Sequence, residues 1–146
     1  PAVLQGADQK AGATVFEQRC AACHSLFGQG QAIGPDLTGS GRKDLEYLLL
    51  NIVDPNAAVP ADYRLSVITL KDGQVHSGSI LKETDRSVTL RTLAAEISLD
   101  RSDVKSVQRL PMSLMPPGLL ESLSTTEARD LIGYLMSDGL TPPRNP

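Results

Sequence analysis

The five residues Cys20-Ala21-Ala22-Cys23-His24 constrain this chain more than any other stretch. Two thiols three positions apart, followed at once by an imidazole, have the spacing of covalent c-type haem attachment. The spacing follows from the chemistry. Each thiol adds across one vinyl group of the porphyrin, and the adjacent His24 then lies beneath the ring as an iron ligand. Other uses of two cysteines fit less well. A structural zinc takes four ligands, usually from two such pairs, whereas this chain has two cysteines in all and His76 as its other histidine. A thioredoxin-type dithiol belongs in a βαβ setting, and the residues before Cys20 have helical spacing instead. A disulfide between Cys20 and Cys23 would close a small, strained loop. The expected cofactor is haem c, one per chain, held covalently by Cys20 and Cys23 with His24 on the iron.

Composition bears on this reading at two points. Aromatic residues make up 3% of the 146, with no Trp, although aromatic side chains usually supply much of a core's buried area. A buried porphyrin would offset that shortage. The net charge of -3 argues against a generally basic, nucleic-acid-binding surface, and haem propionates would add to it. No nucleic-acid partner is expected, nor an acidic partner drawn in by a lysine ring. No run approaches the length of a membrane span. The chain starts at Pro1 without an initiator Met or signal-peptide pattern and so reads as trimmed. Membrane attachment is therefore expected only through parts outside this sequence.

Taken in order, Asp8 is a candidate N-cap for a helix that carries Gly12, Val15 and Phe16 and ends at the motif. Gly12 marks either a close helix crossing or a tolerated weak point, since glycine lowers helix propensity. Residues 28–41 form a glycine-rich loop fixed at Gly34-Pro35-Asp36-Leu37. A carbonyl there could accept the Nδ1–H of His24 and orient the ring. Leu45, Leu48, Leu49, Ile52 and Val53 line a second helix, stopped by Asp54-Pro55. A linker with Pro60 follows. The pattern then turns β-branched and alternating, predicting strands at 64–70, 74–83, 87–91, 96–99 and 104–109, with Lys71-Asp72-Gly73-Gln74 a hairpin signal. A loop with Met112 and Met115 spans 110–120. The last helix opens on the capping box Ser124-Thr125-Thr126-Glu127, carries Leu131, Ile132 and Leu135, and ends at Gly139 before Pro142.

This order of parts resembles class I c-type cytochromes: a helix before CxxCH, a Gly-Pro-Asp-Leu loop, a middle helix, a Met-Pro loop and a closing helix. The resemblance implies a mainly α, class I cytochrome c fold as a single domain over 1–146. A small antiparallel β-sheet or barrel-like unit is inserted at 63–110, making the chain α+β overall. It implies a crossing of the first and last helices at Gly12, Phe16 and Tyr134. It also gives Pro35 the carbonyl that supports His24, and Arg42 a contact with a haem propionate. The β segment, with Asp54-Pro55-Asn56, the Lys71-Asp72-Gly73 turn and Ser113-Leu114-Met115-Pro116-Pro117-Gly118, is similar to the planctomycete and verrucomicrobial type of haem-binding domain. That type often forms part of larger dehydrogenase-like proteins. Leu93-Ala94-Ala95 lacks the glycine expected of a tight turn.

Met opposite His is common in low-spin electron-transfer haems. Met115 is the expected second iron ligand, because the family's ligand Met precedes a proline, here Pro116. Met112 is the alternative, Met136 sits on the apolar stripe of the last helix, and His76 reads as a solvated strand residue. The expected function is single-electron transfer, with a dehydrogenase or oxidase as partner, in the periplasm or another extracytoplasmic space. No constellation for hydrolysis or group transfer is visible, so no enzyme activity is expected. One alternative is a haem sensor from which Met115 is displaced by a gas. Another is a small barrel that binds RNA or peptide, against which the lack of a basic, aromatic-bearing strand face argues.

Overall fold

Asp8 starts the first helix by local chemistry: its carboxylate accepts from the backbone N–H of Lys10 at 2.9 Å and of Ala11 at 3.0 Å, two of the donors a helix N-terminus leaves unpaired. A computed structural model describes residues 2–140, and Pro142 lies outside them. The helices are α1 (Gln9–Arg19), α2 (Leu45–Val53) and α3 (Thr125–Met136); the strands are β1 (Ser25–Leu26), β2 (Gln29–Gly30), β3 (Arg64–Leu70), β4 (Val75–Glu83), β5 (Ser87–Arg91), β6 (Glu96–Asp100) and β7 (Val104–Ser113). The five long strands hold at least as much of the chain as the three α-helices. The architecture is thus mixed α+β, which corrects the expectation of a mainly α chain. Two units divide it: Pro1–Val53 with Pro117–Pro146, and Asp54–Pro116.

In the first unit, α1 packs on α3 at a point where only glycine fits. A Cβ on Gly12 would lie 2.6 Å from the carbonyl carbon of Asp130 and 2.8 Å from Cβ of Tyr134. The two backbones touch there, and this settles the role of Gly12 as a close crossing. Phe16 and Tyr134 flank it, ring centroids 5.9 Å apart, in the edge-tilted range that aromatic pairs favour. Buried Asp130 accepts the N–H of Asp8 at 2.9 Å, so the first residue of one helix is tied to the middle of the other. The capping box of α3 is complete. Ser124 Oγ accepts from Glu127 N at 3.1 Å, and Glu127 Oε1 accepts from Ser124 N at 3.0 Å.

The second unit is an antiparallel sheet of strand order β6-β5-β4-β3-β7. A 3-10 turn (Arg101–Asp103) carries the chain from one edge to the other. Ile68, Leu70, Val88 and Leu90 form its core, with Ile80, Ile97, Leu99, Val104 and Val107 packed around them. The β3–β4 turn closes as expected, Gly73 taking φ +91°. The β5–β6 turn has no glycine because Thr92 takes its place. The Thr92 hydroxyl accepts from the N–H of Ala94 and Ala95 and donates to the Ala95 carbonyl at 2.8 Å, a side-chain substitute for a backbone turn. Residues 56–62, expected as a linker, belong to this unit: Asn56 Oδ1 accepts from Ser113 N at 2.8 Å. Strand β7 also runs further than expected, to Ser113 instead of 109, so Met112 is a strand residue and not a loop one. Pro111 is tolerated within it because β7 pairs on one side only, with β3.

Two outcomes follow. Gly12→Val should lower the unfolding free energy by about 1–3 kcal/mol, read from thermal or denaturant melts. The Ser124 amide and hydroxyl hold the Glu127 carboxyl below its ordinary value. Its contribution is therefore full above the ordinary carboxylate range and fades as pH falls through the lowered value. In Glu127→Gln, the fall of Tm on acidification through the carboxylate range should be shallower than in the unsubstituted chain.

Candidate functional site

Helix α1 does not simply stop at the motif. Cys20 is its C-cap, with its N–H on Phe16 O at 2.8 Å, and one further turn follows, Cys23 N and His24 N both donating to Cys20 O at 3.0 and 2.8 Å. That turn spaces the two thiols and delivers the imidazole directly after them. The glycine-rich loop then folds back along the motif: Gln31 N donates to Ala21 O at 2.9 Å, Gly34 N to Cys23 O at 2.6 Å and Leu37 N to Ser25 O at 2.8 Å. Between the last two bonds lies Pro35, whose carbonyl oxygen is 2.8 Å from His24 Nδ1. A carbonyl can only accept, so Nδ1 carries the proton and Nε2 presents its lone pair. The sequence placed an acceptor in this loop, and the geometry of the bond agrees with that expectation.

Gly34 is the other half of the arrangement. A Cβ there would stand 2.7 Å from Cε1 and 2.9 Å from Nδ1 of His24, so the ring lies flat against bare backbone. The thiols are protonated at neutral pH. Burial, then the neighbouring Cys23, pushes Cys20 up to about 11, and burial alone raises Cys23. Neither is in a disulfide. Among the described residues, no group of three or more His, Cys, Asp and Glu side chains is placed to hold a metal by itself.

These residues fit a haem. Two thiols one turn apart, and an imidazole fixed from Nδ1 and free at Nε2, form the donor set the group requires. Helix α2 adds to the fit, since Tyr47, Leu49, Leu50 and Val53 are all exposed on it and a helix so apolar calls for an apolar cover. Cys20 and Cys23 would hold the porphyrin by thioethers and His24 would hold the iron from Nε2. When bound, the iron supplies a reversible one-electron couple. The chain's own part is to fix the imidazole and to exclude water from it.

Arg42, assigned to a propionate by resemblance, is 7% exposed. Its Nε donates to Thr38 O at 3.0 Å and its Nη1 to the carbonyls of Leu135, at 3.0 Å, and Ser137. Met115 is in the second unit, half-buried, with its N–H on Ser113 Oγ at 3.0 Å. Sequence reasoning missed Asp130 and Phe27. The signal for Asp130 was a charged residue on the apolar side of a helical stripe; Phe27, next to Gly28, gave none.

The site defines a c-type cytochrome. The profile of the cytochrome c family matches residues 9–87, and the chain belongs to that family: it carries haem c covalently, and the family's work is electron transfer. Cytochrome c of Arabidopsis thaliana is 57% identical over 42 residues, 27% of this chain. The chain spans 37% of the length of that relative.

The Gly34 contact gives a direct check. In Gly34→Ala the ring must tilt or the loop must shift, so part of the oxidised protein should show a high-spin spectrum, with a stability loss of about 1–3 kcal/mol. Gly39→Ala is the control, because a Cβ there meets nothing within 4 Å, and its spectrum should be unchanged.

Proposed function

We propose that this chain carries single electrons between partner proteins outside the cytoplasm, as a monohaem cytochrome of the planctomycete and verrucomicrobial type with a β unit between its middle helix and its Met loop. The observation that carries the reading is the His24–Pro35 bond at the end of the Cys20–Cys23 turn. An imidazole fixed from behind is a ligand that need not move between oxidation states, and small reorganisation is what electron transfer requires. The extracytoplasmic location rests on the motif, because bacterial haem ligation to CxxCH occurs there.

Met115 is proposed as the second iron ligand, with Pro116 stiffening its approach. The partner is a dehydrogenase or an oxidase. Charge indicates how it is met. The first unit has two lysines, Lys10 and Lys43, and Lys43 is paired with Asp138 at 2.6 Å. Docking is therefore not steered by a lysine ring, and the β unit is the proposed docking lobe.

The test is a redox titration of the purified protein. Met115→Ala should leave it folded but lower the potential by a substantial share of the ~0.8 V that axial ligands command, and should let the reduced iron bind carbon monoxide. Met112→Ala should do neither. If the unsubstituted reduced protein binds carbon monoxide at neutral pH, the sixth position is labile and the chain is a haem sensor, not a carrier.

A further inference from the structure

Among the described residues, Phe27 is the one residue other than glycine with a positive φ, +51°. A bulky side chain in that region persists only where its surroundings over-determine it. Here three contacts do so. The Phe27 N–H donates to Thr38 Oγ1 at 2.9 Å. Its ring lies under the guanidinium of Arg42, 4.9 Å from centroid to Cζ, and edge-on to Tyr134 at 5.8 Å and 76°. Arg42 in turn is almost wholly buried, and its charge is met by the Thr38 carbonyl and by two carbonyls at the end of α3, those of Leu135 and Ser137. Those last carbonyls have no partner within the helix and sit at its negative end.

The placement gives the contacts a purpose. Phe27 is three residues after His24, and Thr38 is three residues after Pro35. Arg42 grips both, one through its flat face and the other through Nε. We propose that Arg42 and Phe27 are positioning residues for the iron ligand: together they form a clamp by which the end of α3 holds the His24 strand against the Pro35 loop. This goes beyond the propionate contact expected for Arg42, and it rests on the reading of His24 as the proximal ligand. The clamp needs a planar group that stacks and donates in separate directions at once. Lysine keeps the charge and can donate, but it has no flat face to stack while it does so.

The experiment uses the haem-loaded protein with Arg42→Lys, Arg42→Ala and Phe27→Leu. Two readouts apply: amide hydrogen exchange at Gly34 and Leu37, whose N–H groups tie the loop to Cys23 and Ser25, and the paramagnetically shifted proton NMR signals of the His24 ring in the oxidised protein. All three variants should raise exchange at both amides about tenfold, the worth of one net hydrogen bond, and should shift or broaden the ring signals. Rescue of both readouts by Arg42→Lys would show that charge alone matters and would overturn the clamp. Faster exchange confined to the end of α3 would reduce Arg42 to a helix cap and overturn it equally. If Arg42→Lys fails to accumulate, Phe27→Leu decides the matter, because it leaves the bonds of Arg42 to the carbonyls intact. An unsubstituted oxidised protein whose His24 ring signals are not paramagnetically shifted would instead overturn the assignment of His24, which the exchange data alone would not.

Discussion

The Nδ1–H of His24 donates to the Pro35 carbonyl across 2.8 Å, and much of the first unit exists to keep those two atoms where they are. The bond fixes the tautomer, the plane of the ring and the direction of Nε2 together. It spans eleven residues of loop, which closes only because three backbone bonds fold residues 31–37 onto the motif and because Gly34 lets the ring lie against the chain. Cys20 and Cys23, one helical turn apart at the end of α1, complete the site as the points of covalent attachment.

That loop would be a poor support if it stood alone, since loops are the more mobile parts of a fold. It is braced from the side by the crossing of α1 and α3. Gly12 lets the helices touch, and the side chain of Asp130, midway along α3, holds the N-cap residue of α1. Tyr134 then meets Phe16 on one side and Phe27 on the other. The helix that carries the thiols and the loop that carries the acceptor thus share one aromatic contact. The second unit has a core of its own, built on Ile68, Leu70, Val88 and Leu90.

Local signals were legible in the sequence, and contacts between distant residues were not. Asp8, the Ser124–Glu127 box, the Lys71–Gln74 turn and the β-branched alternation each act within a few residues, and each appears in the structure where its pattern placed it. The acceptor loop was legible because CxxCH demands a support for its histidine. Three features were not. Asp130 shows only as a charge on the apolar side of α3, and its role appears once its partner Asp8, 122 positions away, is known. Arg42 finds its carbonyls 93 and 95 positions further on, a contact to which neither a local pattern nor the resemblance pointed. The last strand was expected to end at 109, but it runs on through Pro111 to Ser113, because an edge strand tolerates a proline. The balance of helix and strand was misjudged for a related reason: the resemblance weighted the helices, whereas the strands fill as much of the chain.

The claim that Cys20, Cys23 and His24 form a covalent haem site is tested most directly by the mass of the denatured polypeptide after expression with a haem-ligation system. The account predicts a chain heavier than the bare polypeptide by one haem, with the added mass on the peptide that contains Cys20 and Cys23. A bare polypeptide mass, with the colour extracted by acid–acetone, would contradict it.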